Sequence, residues 1–312
     1  AIKYANTREQ FGRPISKYGA IRYKLAECVI RAYTVESATY RAGQNIDDAI
    51  NGLIDAGMDK SEATLKGIEL FAPECAILKV AGSEALDFAV DEAVQIFGGM
   101  GYSAESSVER AYRDSRINRI FEGTNEINRM LTVEMVLRRA MKGELDLMGP
   151  AMKVASELMS IPESTLSSDE ILGEEEKLLE GFKKCMLMVA GSAVQKLMQT
   201  LSKEQEILMN IADIAIWTYL AESTLLRVQK KLANEGEEKC AVELAIVKTY
   251  FYDCADKIEK TAKDAIYSFA DGDEARMMIM GLKRFTKTGA HNPKAARQVI
   301  AQYVIEKNSY CL

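Results

Sequence analysis

The chain has 312 residues, 48% of them hydrophobic, with five prolines and a formal net charge of −6. That length supports one large or two ordinary cores. The mild acidity is spread over both halves and argues against nucleic acid, which calls for a basic face. No apolar run reaches the length of a membrane span. Six widely spaced cysteines (Cys28, Cys75, Cys185, Cys240, Cys254 and Cys311) and a single histidine, His291, give no paired ligand spacing, so no metal site is expected. The cysteines read as free thiols of a reducing compartment.

In chain order, residues 1–9 read as the end of a helix, cut by Phe11-Gly12 and Pro14. A long helix is predicted over about residues 18–50, with Ile21, Leu25, Cys28, Ala32, Val35 and Thr39 spaced by three and four. Asn51-Gly52 and Ala56-Gly57 are expected to break it. A second helix starts near Lys60 and reaches Pro73, a residue tolerated in the first turn of a fresh helix. That next helix carries Ile77, Val80, Ala81, Phe88, Val94 and Ile96 and ends at Gly98-Gly99. A short helix is predicted over about 106–113 and a longer one over about 124–141. Packed antiparallel, the long members make a bundle.

The junction before that last helix is the most informative stretch. Glu122 precedes the apolar series Ile127, Leu131 and Met135, and Gly123 follows it at once. A glycine has no Cβ and lets backbone or ligand approach. Thr124 can cap the helix, whose free N–H groups offer an anion or cofactor site. The plain alternative is an ordinary capped start in which Glu122 complements the helix dipole.

From 142 to 169 the texture changes to a linker marked by Gly149-Pro150, Pro162 and a Ser/Thr-rich run, with one short helix over about 151–159. Ser168 or Asp169 is expected to cap the following helix. Three apolar stripes come next: Leu187, Ala190, Val194, Leu197, Leu201; then Ile207, Ile211, Ile214, Ala221, Leu225, Val228, Leu232, with Thr218 as a polar gap; then Leu244, Val247, Phe251, Cys254, Ile258, Ala265, Phe269. They predict a second bundle, and residues 281–312 hold one more helix. The division is therefore 1–141, a linker at 142–169, and 170–312, in an all-α fold. Arg110, Arg113, Arg116 and Arg119 recur every third residue and read as a solvated or ion-paired face.

Four segments carry a family resemblance: Tyr-Ala-Asn-Thr-Arg-Glu-Gln-Phe-Gly-Arg-Pro-Ile at 4–15, Gln-Ile-Phe-Gly-Gly-Met-Gly-Tyr at 95–102, Val-Glu-Arg-Ala-Tyr-Arg-Asp-Ser-Arg-Ile at 108–117 and Phe-Glu-Gly-Thr-Asn-Glu-Ile at 121–127. In this order and spacing they resemble the C-terminal helical domain of the flavin-dependent acyl-CoA dehydrogenases, whose very-long-chain type carries an extra helical region. The motifs cover about 1–140; beyond that the likeness rests on length and helical character. The resemblance implies a four-helix bundle followed by a second helical bundle, and a C-terminal fragment without the family's N-terminal helical and middle β domains.

It implies further that Glu122 is the base removing the α-proton of a long-chain acyl-CoA in an apolar cleft, that the β-hydride goes to FAD, and that trans-2-enoyl-CoA is formed in fatty-acid β-oxidation. Arg8 matches the arginine that meets the FAD pyrophosphate of a neighbouring subunit, with Gln10 and Phe11 in the same loop. Gln95 and Gly99 match residues near the adenosine part, and Met100 and Gly101 complete their loop. Thr124 and Glu126 fall where the family contacts its own flavin, although Glu126 stands where Gln or Asp is common, and Gly123 lines the acyl-CoA side. Arg113, Asp114 and Arg129 match structural positions. An electron-transferring flavoprotein is the implied acceptor and a homodimer the implied assembly. A membrane contact through the linker is not favoured, because Lys142 and Lys153 are a thin basic supply. The compartment is a bacterial cytoplasm, with the mitochondrial matrix as alternative. Competing readings are an acyl-CoA oxidase using oxygen and a non-catalytic helical assembly module; the isolated fragment is expected to be inactive.

Overall fold

A computed structural model describes residues 1–158 and 170–312. Its described residues are almost entirely helical: α1 Ile2–Thr7, α2 Gly19–Asp55, α3 Lys60–Leu70, α4 Ala72–Phe97, α5 Gly99–Tyr102, α6 Ser107–Arg116, α7 Asn125–Met141, α8 Met148–Leu158, α9 Gly173–Leu197, α10 Gln205–Glu235, α11 Ala241–Phe269, α12 Gly272–Phe285 and α13 Pro293–Lys307. The one departure is a two-residue hairpin, β1 Glu9–Gln10 paired antiparallel with β2 Arg13–Pro14. Its loop residues Phe11 and Gly12 both have positive φ, 51° and 81°, the geometry of a type I′ turn. The sequence reading placed a loop there and missed the hairpin.

The first bundle is built on α2, which packs against α3 and α4, while α4 packs against α7. At 37 residues, α2 is about 55 Å long at 1.5 Å per residue. It runs through Asn51-Gly52 and ends only at Asp55, because packing outweighs the roughly 1 kcal/mol that an interior glycine costs. Its core side is Leu25, Ala26, Val29, Ile30, Tyr33 and Ala38; the expected Ala32 and Thr39 are exposed.

In the second half α9, α10 and α11 pack on one another, with α12 on α9 and α13 on α11. The stripe predicted for α11 is buried throughout, and that for α10 is buried except for half-buried Leu232. Thr218 is buried too, its hydroxyl donating to the Ile214 carbonyl at 2.7 Å. On α9 the deeply buried side is Leu178, Leu179, Phe182, Cys185, Met188 and Val189, while the expected Leu187, Ala190, Val194 and Leu197 form a half-buried flank. Residues 281–312 were expected to hold one more helix, and α13 is that helix. Gly281 lies inside α12, where its missing Cβ makes room for Leu158 and Met188. The expected cap at Ser168 or Asp169 lies outside the described residues.

The two halves share one continuous apolar core. Helix α2 packs against both α10 and α13, and α7 against α10. Ion pairs sew the seam: Arg41–Glu222 at 2.7 Å, Arg227–Glu36 at 3.0 Å, Arg297–Glu27 at 2.7 Å and Arg129–Asp213 at 2.7 Å. Helix α8 lies against α9 with Val154 buried, and its Glu157 pairs with Lys184 at 2.9 Å; Met148 and Met152 remain exposed. No helix among the described residues is long and apolar enough to cross a membrane. All six cysteines are free thiols.

Candidate active site and cofactor groove

The predicted site residues fall into two groups joined by α4. The first is the turn entering α7. Glu122 has φ 54° and Gly123 φ 80°, a left-handed pair that is costly for a residue with a side chain. Buried and half-buried polar groups hold it. The half-buried Lys79 ammonium donates to the Gly123 carbonyl at 2.6 Å and to Asn125 Oδ1 at 2.9 Å. Asn128 Nδ2 donates to the same Gly123 carbonyl at 2.9 Å and to the Thr124 carbonyl at 3.1 Å. Ser83 and Asn125 exchange hydrogen bonds beneath the turn. An added Cβ on Gly123 would stand 3.0 Å from Asn128 Nδ2. The close approach that this glycine permits is thus made by the turn's own brace.

Thr124 caps α7 as expected, its hydroxyl accepting from the Ile127 N–H at 3.3 Å. Glu126 is exposed, and its carboxyl is held below the usual range, first by its own backbone N–H and then by the Thr124 hydroxyl. Here it reinforces the cap. Glu122 itself is exposed, so the residues described form at most one side of the apolar cleft expected for it. Its backbone N–H makes no hydrogen bond among them. Close to it in the chain are the exposed apolar side chains Ile117, Ile120, Phe121 and Ile127.

The second group surrounds an open groove of about 950 Å³ between the hairpin and the C-terminal end of α4. Arg8, Gln10, Phe11, Gly99 and Met100 line it together with Tyr4, Tyr18 and Phe97. Gln95 is exposed in the last turn of α4 and does not line the groove. Gly101 is buried rather than lining it, because α5 folds back so tightly that a Cβ there would meet the Val94 carbonyl. Tyr4 stacks on Phe97 with ring centroids 4.0 Å apart, and Tyr18 braces the hairpin by donating to the Gln10 carbonyl at 2.7 Å. The Arg8 guanidinium is exposed and makes no ion pair among the described residues. Phe11 is 93% exposed at the hairpin tip. An unpaired arginine, aromatic walls and glycine backbone suit a dinucleotide with a pyrophosphate.

Lys79, under the first group, and Gln95, beside the second, are 16 residues apart on α4. At 1.5 Å per residue that separates the groups by about 24 Å. The arginine series resolves as an ion-paired face in part, with Arg113 paired to Glu109 and Arg119 to Asp87 at 3.0 Å. Arg129 is structural, bridging Glu84 at 2.9 Å and Asp213 at 2.7 Å. The sequence reading did not find Lys79, Ser83, Asn125 and Asn128 as holders of the turn. Asn125 and Asn128 at i and i+3 of the capped helix were the available signal; Lys79, over forty residues away, gave none.

A third polar cluster contains none of the predicted residues. Glu174, Glu175, Lys248, Tyr252, Thr288 and His291 line a recess of about 250 Å³. Glu175 is 5% exposed and its Oε2 has no hydrogen-bond partner among the described residues; burial raises its pKa. His291, assigned no role from sequence, packs on Tyr252 and lies 3.3 Å from the Thr249 hydroxyl, and burial lowers its pKa.

The family description "Acyl-CoA dehydrogenase, C-terminal domain" matches residues 1–137, and a second family of the same description matches residues 181–284. A probable acyl-CoA dehydrogenase of Bacillus subtilis (strain 168) is 39% identical over 308 residues, 98% of this chain and 52% of that protein. The mitochondrial very long-chain specific acyl-CoA dehydrogenase of Macaca fascicularis is 31% identical over 281 residues, 83% of this chain and 39% of that protein. Among solved structures, an acyl-CoA dehydrogenase from Bacillus anthracis complexed with FAD superposes with a TM-score of 0.95 at 40% identity, over 100% of this chain and 53% of that one. An acyl-CoA oxidase from Yarrowia lipolytica has a TM-score of 0.64 at 17% identity, over 99% of this chain and 47% of that one, a likeness of fold alone. The chain spans about half the length of the relatives it matches most fully. Family descriptions, fold and relatives agree over both halves, and the chain belongs to the acyl-CoA dehydrogenase family.

Proposed function

We propose that the chain is the C-terminal helical part of an FAD-dependent acyl-CoA dehydrogenase acting on long acyl chains, with Glu122 as the base that takes the α-proton and trans-2-enoyl-CoA as the product of a β-oxidation step. The observation that carries this reading is the braced left-handed turn that presents an exposed Glu122 carboxylate beside a free backbone N–H. A thioester α-hydrogen is a weak acid, so its removal needs a base held close. The charge that develops on the thioester carbonyl needs a donor fixed in advance, a task that suits the Glu122 N–H. FAD, when bound, supplies the acceptor for the β-hydride.

Ile117, Ile120, Phe121 and Ile127 give one apolar side of the acyl path, and the rest of a protein of the relatives' length supplies the facing wall. Thr124 and Glu126 lie on the flavin side of the turn, and Gly123 on the substrate side. Arg8, Gln10, Phe11 and Gly99, with Gln95 nearby, take the pyrophosphate and adenosine of a second FAD, that of the other subunit of a homodimer. The long-chain reading is supported by the very long-chain relative's match to 83% of this chain, which reaches into the second half. The higher identity to bacilli favours a bacterial cytoplasm over a mitochondrial matrix. The seating of α8 on α9 favours a packed linker over a membrane anchor.

The deciding experiment is Glu122→Gln in the full-length enzyme. FAD binding is retained and flavin reduction by acyl-CoA is lost, because size and shape persist while the proton acceptor is gone. Reduction at the wild-type rate would refute the assignment. The oxidase reading shares this chemistry and the fold of the Yarrowia oxidase. Anaerobic reduction followed by reoxidation with oxygen or with an electron-transferring flavoprotein separates them; the flavoprotein is the expected acceptor. A non-catalytic assembly module would give no turnover with the full-length protein.

A further inference from the structure

We propose that Asp213, on a helix of the second half, is a positioning residue for the Glu122 turn and acts through Arg129, Glu84 and Asn125. The proposal rests on the reading of Glu122 as the base and adds what sets its geometry. The links are continuous. Arg129 Nε donates to Asp213 Oδ1 at 2.7 Å, and its Nη2 lies 2.9 Å from Glu84 Oε1. That same Glu84 oxygen accepts from Asn125 Nδ2 at 3.2 Å. Asn125 is 2% exposed, and its Oδ1 accepts from the Lys79 ammonium at 2.9 Å. Lys79 in turn donates to the Gly123 carbonyl at 2.6 Å. The peptide that follows Gly123, one residue after the base, is therefore the near end of a polar chain whose far end is α10.

Such a chain matters because the turn is not self-supporting. Glu122 has φ 54°, a conformation that persists only when its surroundings over-determine it. Each link lies within hydrogen-bonding distance and is directional, and four of the groups are charged, which makes geometry more exacting than in neutral pairs. The guanidinium of Arg129 is planar, and its side chain is only 15% exposed, so its two carboxylate partners fix its orientation jointly. With the Asp213 charge removed, the fork is left to Glu84 alone. Pairing with both Glu84 oxygens would draw Oε1 from Asn125, freeing Asn125 and Lys79 to shift under the turn. A base displaced by about 1 Å can lose roughly a hundredfold in rate. The simpler role for Asp213 is a stitch between α10 and α7; a stitch would change melting and leave the chemical step alone.

The test uses the full-length enzyme with FAD and a long-chain acyl-CoA, with stopped-flow anaerobic flavin reduction as the readout. Asp213→Asn keeps the shape and removes the charge. The limiting rate of reduction is expected to fall roughly tenfold or more, with the substrate Kd held within about twofold. Asp213→Glu restores part of the rate. Glu84→Gln removes the charge at the middle link of the chain, away from the seam, and shows the same rate loss even if Asp213→Asn does not fold. Arg227→Gln, which opens a different seam pair, lowers the Tm and leaves the reduction rate unchanged. Wild-type reduction rates in both Asp213→Asn and Glu84→Gln, alongside an inactive Glu122→Gln, overturn the positioning role and leave the base in place. An active Glu122→Gln would sink the underlying reading instead.

Discussion

Lys79, in the first half of α4, places its ammonium 2.6 Å from the carbonyl oxygen of Gly123, a residue 44 positions later in the chain. That bond and the Asn128 amide converge on one oxygen, so two donors pin the peptide plane between Gly123 and Thr124. The Glu122 carboxylate leaves the backbone one residue before this pinned plane.

Gly123→Ala should therefore harm chemistry more than folding. The new methyl meets Asn128 Nδ2 at 3.0 Å and must adopt a φ of 80°, at a cost above roughly 1 kcal/mol. In the full-length enzyme the limiting flavin-reduction rate is expected to drop by at least about tenfold, while the Tm falls by only a few degrees. A Tm loss with an unchanged rate would show that the turn does not set the base.

The groove assignment predicts a different phenotype for Arg8→Ala. Removing a charge-assisted pair to a pyrophosphate costs about 1.5–3 kcal/mol, or roughly tenfold to a hundredfold in FAD affinity. The measurement is flavin retention on dilution and the apparent Kd of the refilled apoenzyme. Wild-type retention would remove Arg8 from the cofactor site. Glu122→Gln, by contrast, retains its flavin.

Glu175 predicts a pH-dependent stability effect. Burial raises its pKa in the folded chain, so the folded state holds this proton to higher pH than the unfolded state does. Stability from the protonated form is complete below the unfolded carboxylate range and is lost as pH rises through the raised value. Glu175→Gln cannot ionise. Its Tm should exceed that of the wild type by roughly 2 °C or more near neutral pH, and the gain should vanish in acid. A Tm difference that stays constant across the titration would contradict the cause given.

Residues 1–312 purified alone should fold as a cooperative helical protein, because the two halves close one shared core. The same preparation should be colourless and inactive, since Glu122 is exposed and the flavin side of the turn lies open. Circular dichroism melting and an absorbance spectrum suffice. A yellow preparation with stoichiometric FAD would show that these residues hold the cofactor unaided.

The local pattern was enough to locate the helices of the first half, the cap at Thr124 and the inward faces of α10 and α11, because helical period and capping chemistry depend on residues three or four apart. Its motifs also singled out Glu122, Arg8 and Gly99 as candidate site residues. The buried sides of α2 and α9 were misjudged. Partners that are distant in the chain, such as α10 and α13 for α2 and α11 and α12 for α9, decide which apolar residues meet the core. Helix α12 was not predicted as a separate element; its Gly281 leaves the space that Leu158 fills. The hairpin at Glu9–Pro14 was hidden in six residues too few to show a period. The braces of the site were least visible: Lys79 to Gly123, and Asp213 to Arg129 across 84 positions. Any of many lysines and aspartates satisfies such a pairing rule, and only the packing of α4 on α7 and of α7 on α10 brings these ones within bonding distance.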